Sequence, residues 1–421
     1  MDIKKIYSKI FEKFDDPKMA YSFMLKAYTL DKYKERYFPD RNVPKSLSYI
    51  YEASMEMALN ALKNPENSVM VNIFFPCEIL QAMDIYPLLV EGTAAFMTGS
   101  YTEKKFIDEA EKYGIPETYC SFHKIFIGGV VSNFFPKTKM VATTSLACDA
   151  NINTFRHLSE IMENEKFILD IPYIYSEENL DYVEQQIVQC VNKLEEIFGR
   201  KMDSKKLREV LERENEAIRL KKKILLELSN KYIYHSVGAE MAKIFITTIG
   251  SGSSECLNYY KMLEKDLENA PQSENKYRIF WVHLAPFNDV SIHENFDINP
   301  KIQFLGSDVN LINLEELDLE RPYRSLAKKL LKNHMNGPFD RKIEKIKELI
   351  VKLNADGVVN MCQWGCKQSS GGALLLKKEM EKLDIPFLIL DGDSGDNRNN
   401  SKGQIKTRLE AFLEMIEKEK N

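Results

Sequence analysis

Short apolar runs alternate with helix-periodic segments along this chain, and that alternation leaves few folds open. The runs are SVMVNIFF at 68 to 75, KMVATTS at 139 to 145, FILDIPY at 167 to 173 and YRIFWVHLAPF at 277 to 287, followed by KIQFLGS, DGVVNMC and IPFLILDGD. Strands separated by helical stretches pair in parallel, with the helices as crossovers. The unbroken apolar character of YRIFWV suits a strand covered on both faces. At 421 residues the chain exceeds one such core, so the expected fold is α/β, with two Rossmann-like, flavodoxin-like parallel-sheet domains.

Four segments follow from the pattern. Residues 1–65 form a helical lead-in, where KKIYSKIFEKF and SLSYIYEASMEMALNAL repeat apolar residues every three or four positions. Residues 66–180 are a first α/β domain and 271–421 a second. Between them, 181–270 is a charged, helix-periodic insert or bridge with hardly a glycine or proline, as in SKKLREVLERENEAIRLKKKILLELSNKY. After the first strand, EILQAMDIYPLL is expected to start as a helix that Pro87 breaks. There is no repeat of solenoid period, but the two α/β halves read as cousins.

A net charge of -5 gives no electrostatic footprint for nucleic acid. The N-terminal MDIKKIYSKIFEKFDD is charged throughout, and no apolar stretch approaches the roughly 20 residues that span a bilayer. A cytoplasmic protein with no membrane partner is expected. In that compartment seven cysteines, an odd number, are core residues or ligands rather than a disulfide framework.

Their positions discriminate. Ligands of open parallel sheets bind beyond the carboxyl ends of the strands. Cys77, Cys148 and Cys362 each follow an expected strand, whereas Cys120 and Cys366 lie at expected helix starts. A helix N-terminus lowers a thiol's pKa and favours the metal-binding thiolate. Cys190 lies on one helical stripe with Val183, Ile187, Leu194 and Ile197 and reads as core. Cys256 reads both ways, on an apolar face with Tyr260, Leu263 and Leu267 yet directly after the loop GSGSSE. Soft thiolates in this number suit zinc or an iron-sulfur cluster, and one C-x-x-x-C pair plus dispersed single cysteines fits a cluster better than a zinc knuckle. On a helix, Cys362 and Cys366 would share one face, one turn apart. His123 falls three residues after Cys120 on the same helix and could donate a proton. Glu78 reads as a first-turn charge that complements the helix dipole, and DGDSGDNRNN as a polar loop at a strand end. Neither G-x-x-x-x-G-K-[ST] nor a strand-linked G-x-G-x-x-G is present.

The segments FFPCEILQAMDIYPLLVEGTAA, CSFHKIFIGG, ATTSLACDANINTF, CQWGCKQSSGGALLLKKE and PFLILDGDSGDNRN resemble the 2-hydroxyacyl-CoA dehydratase family over most of the chain. Within it the chain is similar to the double-cubane cluster proteins. Dehydratase components commonly carry tryptophan after the proline of the first turn and hold one cubane with three cysteines, whereas here the turn reads Pro76-Cys77-Glu78. The resemblance implies an oxygen-sensitive reductase, a homodimer, that reduces small molecules at a double-cubane iron-sulfur cluster. Its electrons would come from a separate ATP-hydrolysing activator with its own cluster, in keeping with the missing phosphate loop. The implied ligands are Cys77, Cys120, Cys148, Cys362 and Cys366, with Cys256 as the sixth, and the implied proton donors are Ser121, His123 and Gln363. Two alternatives are a 2-hydroxyacyl-CoA dehydratase component with a single 4Fe-4S cluster and a zinc-stabilised, non-enzymatic scaffold.

Overall fold

A computed structural model of the chain describes residues 3–273, 276–287, 289–297, 299 and 301–420. The apolar runs form two four-stranded sheets, parallel throughout. The first contains β1 (Ser68–Val71), β2 (Tyr86–Leu89), β3 (Met140–Thr144) and β4 (Glu165–Leu169) in the order β2-β1-β3-β4. The second contains β5 (Tyr277–Val282), β6 (Ile302–Ser307), β7 (Gly357–Gln363) and β8 (Phe387–Gly392) in the order β6-β5-β7-β8. The two halves therefore share one topology. In each, the chain reverses its direction of winding beside the first strand, between β1 and β3 and between β5 and β7. That reversal opens a crevice at the strands' carboxyl ends.

Both faces of each sheet are covered, which explains why the strands read as continuous apolar runs. Val69, Val71 and Ala142 pack with Leu180, Ile187 and Leu194 on one side of the first sheet, while Met70, Leu88 and Val141 pack with Phe106, Phe126 and Phe155 on the other. Ile279, Trp281 and Val359 meet Phe412 and Ile416 on one side of the second sheet, and Phe280, Val282 and Val358 meet Ile346, Leu349 and Leu353 on the other. Each fully buried Val, Leu, Ile, Phe or Met side chain among them contributes about 1.5–3 kcal/mol. The lead-in helices Ile3–Phe11, Pro17–Tyr37 and Lys45–Lys63 add Phe11, Met24 and Leu62, respectively, to the first sheet's outer core. In the bridge, Cys190 lies fully buried on the expected stripe of the Glu177–Phe198 helix.

Expectation and structure part company after β1. The helix that follows is only Glu78–Ala82, and the expected continuation toward Pro87 is instead strand β2. Asp84, with φ 54°, turns the chain back, and residues 86–89 pair in register with Ser68–Val71. A proline has no N–H to give a ladder, and β2 lies at the sheet's edge, where one donor fewer is tolerated. Among the described residues no helix is long and apolar enough to cross a membrane.

Candidate functional site

The two crevices open into one cavity. Ile73, Phe74, Ala147 and Cys148 line it from the ends of β1 and β3, and His283, Leu284, Gln363 and Cys366 from the ends of β5 and β7. Cys120, Phe122 and His123 come from the start of the Ser121–Val131 helix, Glu91 from Val90–Gly99, Asn151 from Asp149–Met162, and Met241 and Ile244 from the bridge helix Val237–Thr247. Cys120, Cys148 and Cys366 each cap the N-terminus of a helix, the position at which first-turn N–H groups lack main-chain partners.

These thiols differ in protonation. Burial pushes Cys120 well above the ordinary thiol value and Cys148 up to about 12, with each thiol's neighbours among the three adding to the effect. First-turn N–H groups, those of His123 for Cys120 and of Ala150 and Asn151 for Cys148, act in the opposite direction. Burial also works to raise Cys366, but the His283 imidazole outweighs it and brings that thiol down to about 6. His283 Nε2 lies 3.5 Å from Cys366 Sγ.

The turns that carry these groups are conformationally unusual. Ala147 has φ 67°, His283 φ 70° and Gly365 φ 71°, and left-handed residues other than glycine cost energy that functional sites often store. Gly365 is required twice over. A Cβ there would stand 2.8 Å from the Thr118 carbonyl oxygen and 2.9 Å from the Cys120 nitrogen, so the Cys366 turn rests directly on the Cys120 turn.

A buried carboxylate joins the same two turns from behind. Asp393 accepts hydrogen bonds from Ser121 Oγ, from Gln363 Nε2 at 2.6 Å, from Asn399 Nδ2 at 2.9 Å and from the Gly395 and Asp396 N–H groups at 2.8 and 3.1 Å. Ser121 follows Cys120 and Gln363 follows Cys362, so the polar loop after β8 ties the first half's cysteine turn to the second's. Of the three expected proton donors, Ser121 is thus committed to Asp393. Gln363 lines the cavity but is held by Asp393 and by the Ser394 N–H at 2.8 Å. His123 lines the cavity with Nδ1 unpartnered, and burial pulls its pKa down to about 4.

Three of the six expected cysteine ligands stand elsewhere. Cys77 caps the Glu78–Ala82 helix but is fully buried in the first sheet's core. Cys256 is buried with Tyr260 and Leu263 beneath the bridge helices, its N–H bonded to Ser253 Oγ. Cys362 lies within β7, in register with Asp391, with Asn360 Nδ2 3.5 Å from its sulfur. The expectation that Cys362 and Cys366 share one helix face is corrected here, because the first ends a strand and the second begins a helix, with the left-handed Gly365 between them. Glu78 stands in the first turn of its helix as expected, but it is buried there against the Lys329 ammonium.

Sequence reasoning missed Glu91, Asn151 and His283. Glu91 is the one charged residue in VEGTAAFM, and burial raises it to about 8. Asn151 lies three residues after Cys148. His283 follows β5 directly, the same kind of position that drew attention to the cysteines.

Three soft sulfur donors, Cys120, Cys148 and Cys366, line one largely apolar cavity, and among the described residues no three His, Cys, Asp or Glu side chains are grouped as a site for a metal ion. All seven cysteines are free of disulfides.

The chain is similar in sequence to several known proteins. The chain is 22% identical to the (R)-phenyllactyl-CoA dehydratase alpha subunit of Clostridium sporogenes, over 88% of this chain and 96% of that subunit. It is 24% identical to the (R)-2-hydroxyisocaproyl-CoA dehydratase alpha subunit of Clostridioides difficile, over 82% and 89%. It is 23% identical to a subunit of benzoyl-CoA reductase from Thauera aromatica, over 82% and 87%. The family model described as 2-hydroxyglutaryl-CoA dehydratase, D-component, matches residues 72–416, and the chain belongs to that family.

Proposed function

We propose that this chain is one component of an oxygen-sensitive, cytoplasmic enzyme acting on an acyl-CoA thioester, and that Cys120, Cys148 and Cys366 hold a single 4Fe-4S cluster. The observation that carries it is the convergence of those three thiols, from both halves of the chain, on one apolar cavity. When bound, such a cluster supplies single low-potential electrons and an iron free of protein ligands. A separate ATP-hydrolysing activator with its own cluster provides the electrons. The relatives are named as subunits, and we read this chain as one half of a dimer, with a second copy or a sister subunit.

The chain's own residues contribute in three ways. Asp393 holds the Cys120 and Cys366 turns at a set distance. Ile73, Phe74, Phe122, Met241 and Leu284 exclude water. Glu91, its carboxyl largely protonated at neutral pH, and neutral His123 stand beside the thiols as candidates to hold or pass a proton.

Iron and sulfide analysis after anaerobic purification tests this reading, with about four irons expected per chain. Substitution of Cys120, Cys148 or Cys366 by alanine removes most of that iron, while Cys77→Ala, Cys256→Ala and Cys362→Ala retain it. About eight irons, lost on substitution of those last three, would instead establish the double-cubane reductase. Zinc without iron would sink both.

A further inference from the structure

We propose that His283 is a further functional residue of this site: its Nε2–H group donates a hydrogen bond to Cys366 Sγ and raises the reduction potential of a centre held by the three cavity cysteines. This rests on the cluster reading above and names the side chain that tunes it.

The two halves share one topology, so equivalent positions can be compared. In each half the third strand is followed by a cysteine at the start of a helix, Cys148 after β3 and Cys366 after β7. The first strand of each half lies beside that third strand, and the residue that follows it is Asn72 after β1 and His283 after β5. Asn72 is fully buried and spends its amide within its own sheet, Nδ2 donating to Thr144 Oγ1 at 3.3 Å. His283 instead turns to the cysteine, with Nε2 3.5 Å from Cys366 Sγ. First-turn N–H groups favour the thiolate at all three sulfurs: that of His123 at Cys120, those of Ala150 and Asn151 at Cys148, and that of Ser369 at Cys366. Cys366 receives the imidazole in addition.

The ring is anchored from behind. His283 is buried in its left-handed turn, and its backbone N–H donates to Asp308 Oδ1 at 2.6 Å. Asp308 is wholly buried, and its Oδ2 faces Lys342 Nζ at 3.3 Å and His334 Nε2 at 3.7 Å. Nδ1 of His283 has no protein partner, so among the described residues Cys366 is what the ring addresses. A metal-held thiolate carries no proton and can only accept, which makes Nε2 the donor. An N–H group aimed at a ligand sulfur draws electron density from it and stabilises the negative charge added on reduction, so the potential rises.

The test compares anaerobically purified parent, His283→Phe and His283→Gln, each titrated with a titanium(III) reductant and followed by electron paramagnetic resonance, with iron counted on the same samples. Phenylalanine keeps a planar ring without the donor, and glutamine returns an N–H group. Both keep a Cβ in the left-handed turn and the backbone bond to Asp308, so those contributions are common to them. All three proteins are expected to hold the same iron. The midpoint potential of the phenylalanine variant is expected to fall below the parent's, and that of the glutamine variant to return toward it. An unshifted phenylalanine variant or an equal shift in both variants would overturn the proposal. So would loss of iron from the phenylalanine variant, which would make His283 a support of the Cys366 turn. A parent without iron removes the cluster reading as well, so the two failures are distinguishable.

Discussion

Glu91 shows how one side chain's surroundings set its chemistry. Burial raises its carboxyl to about 8, although its own N–H, that of Ile73 and the Asn151 side chain act to lower it. The folded chain therefore binds this proton more readily than the unfolded chain, whose value lies near the ordinary 4.5. Between those two values folding stability falls as pH rises, and above the higher one the loss is complete. Glu91→Gln cannot lose a proton. Its stability relative to the parent should be unchanged below about pH 4.5 and should grow by up to a few kcal/mol toward about pH 8. Urea unfolding of metal-free protein at about pH 5 and about pH 9 measures this. A pH-independent difference would show that Glu91 keeps its charge in the folded chain. His123 carries the opposite sign. Held down to about 4 by burial, it costs stability as pH falls from its ordinary value through that figure.

At the scale of elements, the informative unit is the turn between β7 and the Lys367–Ser370 helix. Gly365 lets Cys366 approach Cys120 because its φ of 71° and the backbone pressed against its missing Cβ both exclude a side chain. Gly365→Ala should cost about 1–3 kcal/mol and lower the iron content, since the two cysteine turns must separate. Gly403 provides the control. It lies within the Lys402–Lys420 helix, and a methyl group added there would meet nothing within 4 Å, so Gly403→Ala should hold or slightly raise stability. Thermal unfolding and iron analysis of both variants decide the matter, and equal behaviour would remove the special role of the turn.

For the whole molecule, Lys329 links parts of the chain far apart in sequence. Its ammonium meets Glu78 of the first half and, at 2.7 Å, Glu214 of the bridge helix Ser204–Leu228. Glu78 and Glu214 are almost wholly buried. Burial raises Glu78 to about 8 despite the lysine, while Glu214 is held below its ordinary value, so the lysine chiefly pairs with Glu214. Lys329→Met leaves that charge uncompensated and should destabilise the chain by about 3–5 kcal/mol, read by denaturant unfolding. The lysine touches none of the three cavity cysteines, so the folded variant should keep its iron. Loss of iron without loss of stability would contradict this division between latch and site.

The sequence by itself determined the parallel α/β architecture, because covered strands must be apolar throughout and their crossovers must carry helical periodicity. It also placed Cys120 and Cys366 at helix starts and put Cys190 in the core, since both readings depend on local spacing. Only the tertiary structure decided that β2 is a strand, because its pairing with β1 outweighs a helical pattern. It alone brought Cys120, Cys148 and Cys366 to one cavity and left Cys77, Cys256 and Cys362 outside it. It also revealed Glu91, Asn151 and His283 around the same space. The physical reason is that a ligand site here is a meeting of strand ends from two separate sheets, and the distance between those ends depends on how the sheets dock, which no local pattern encodes.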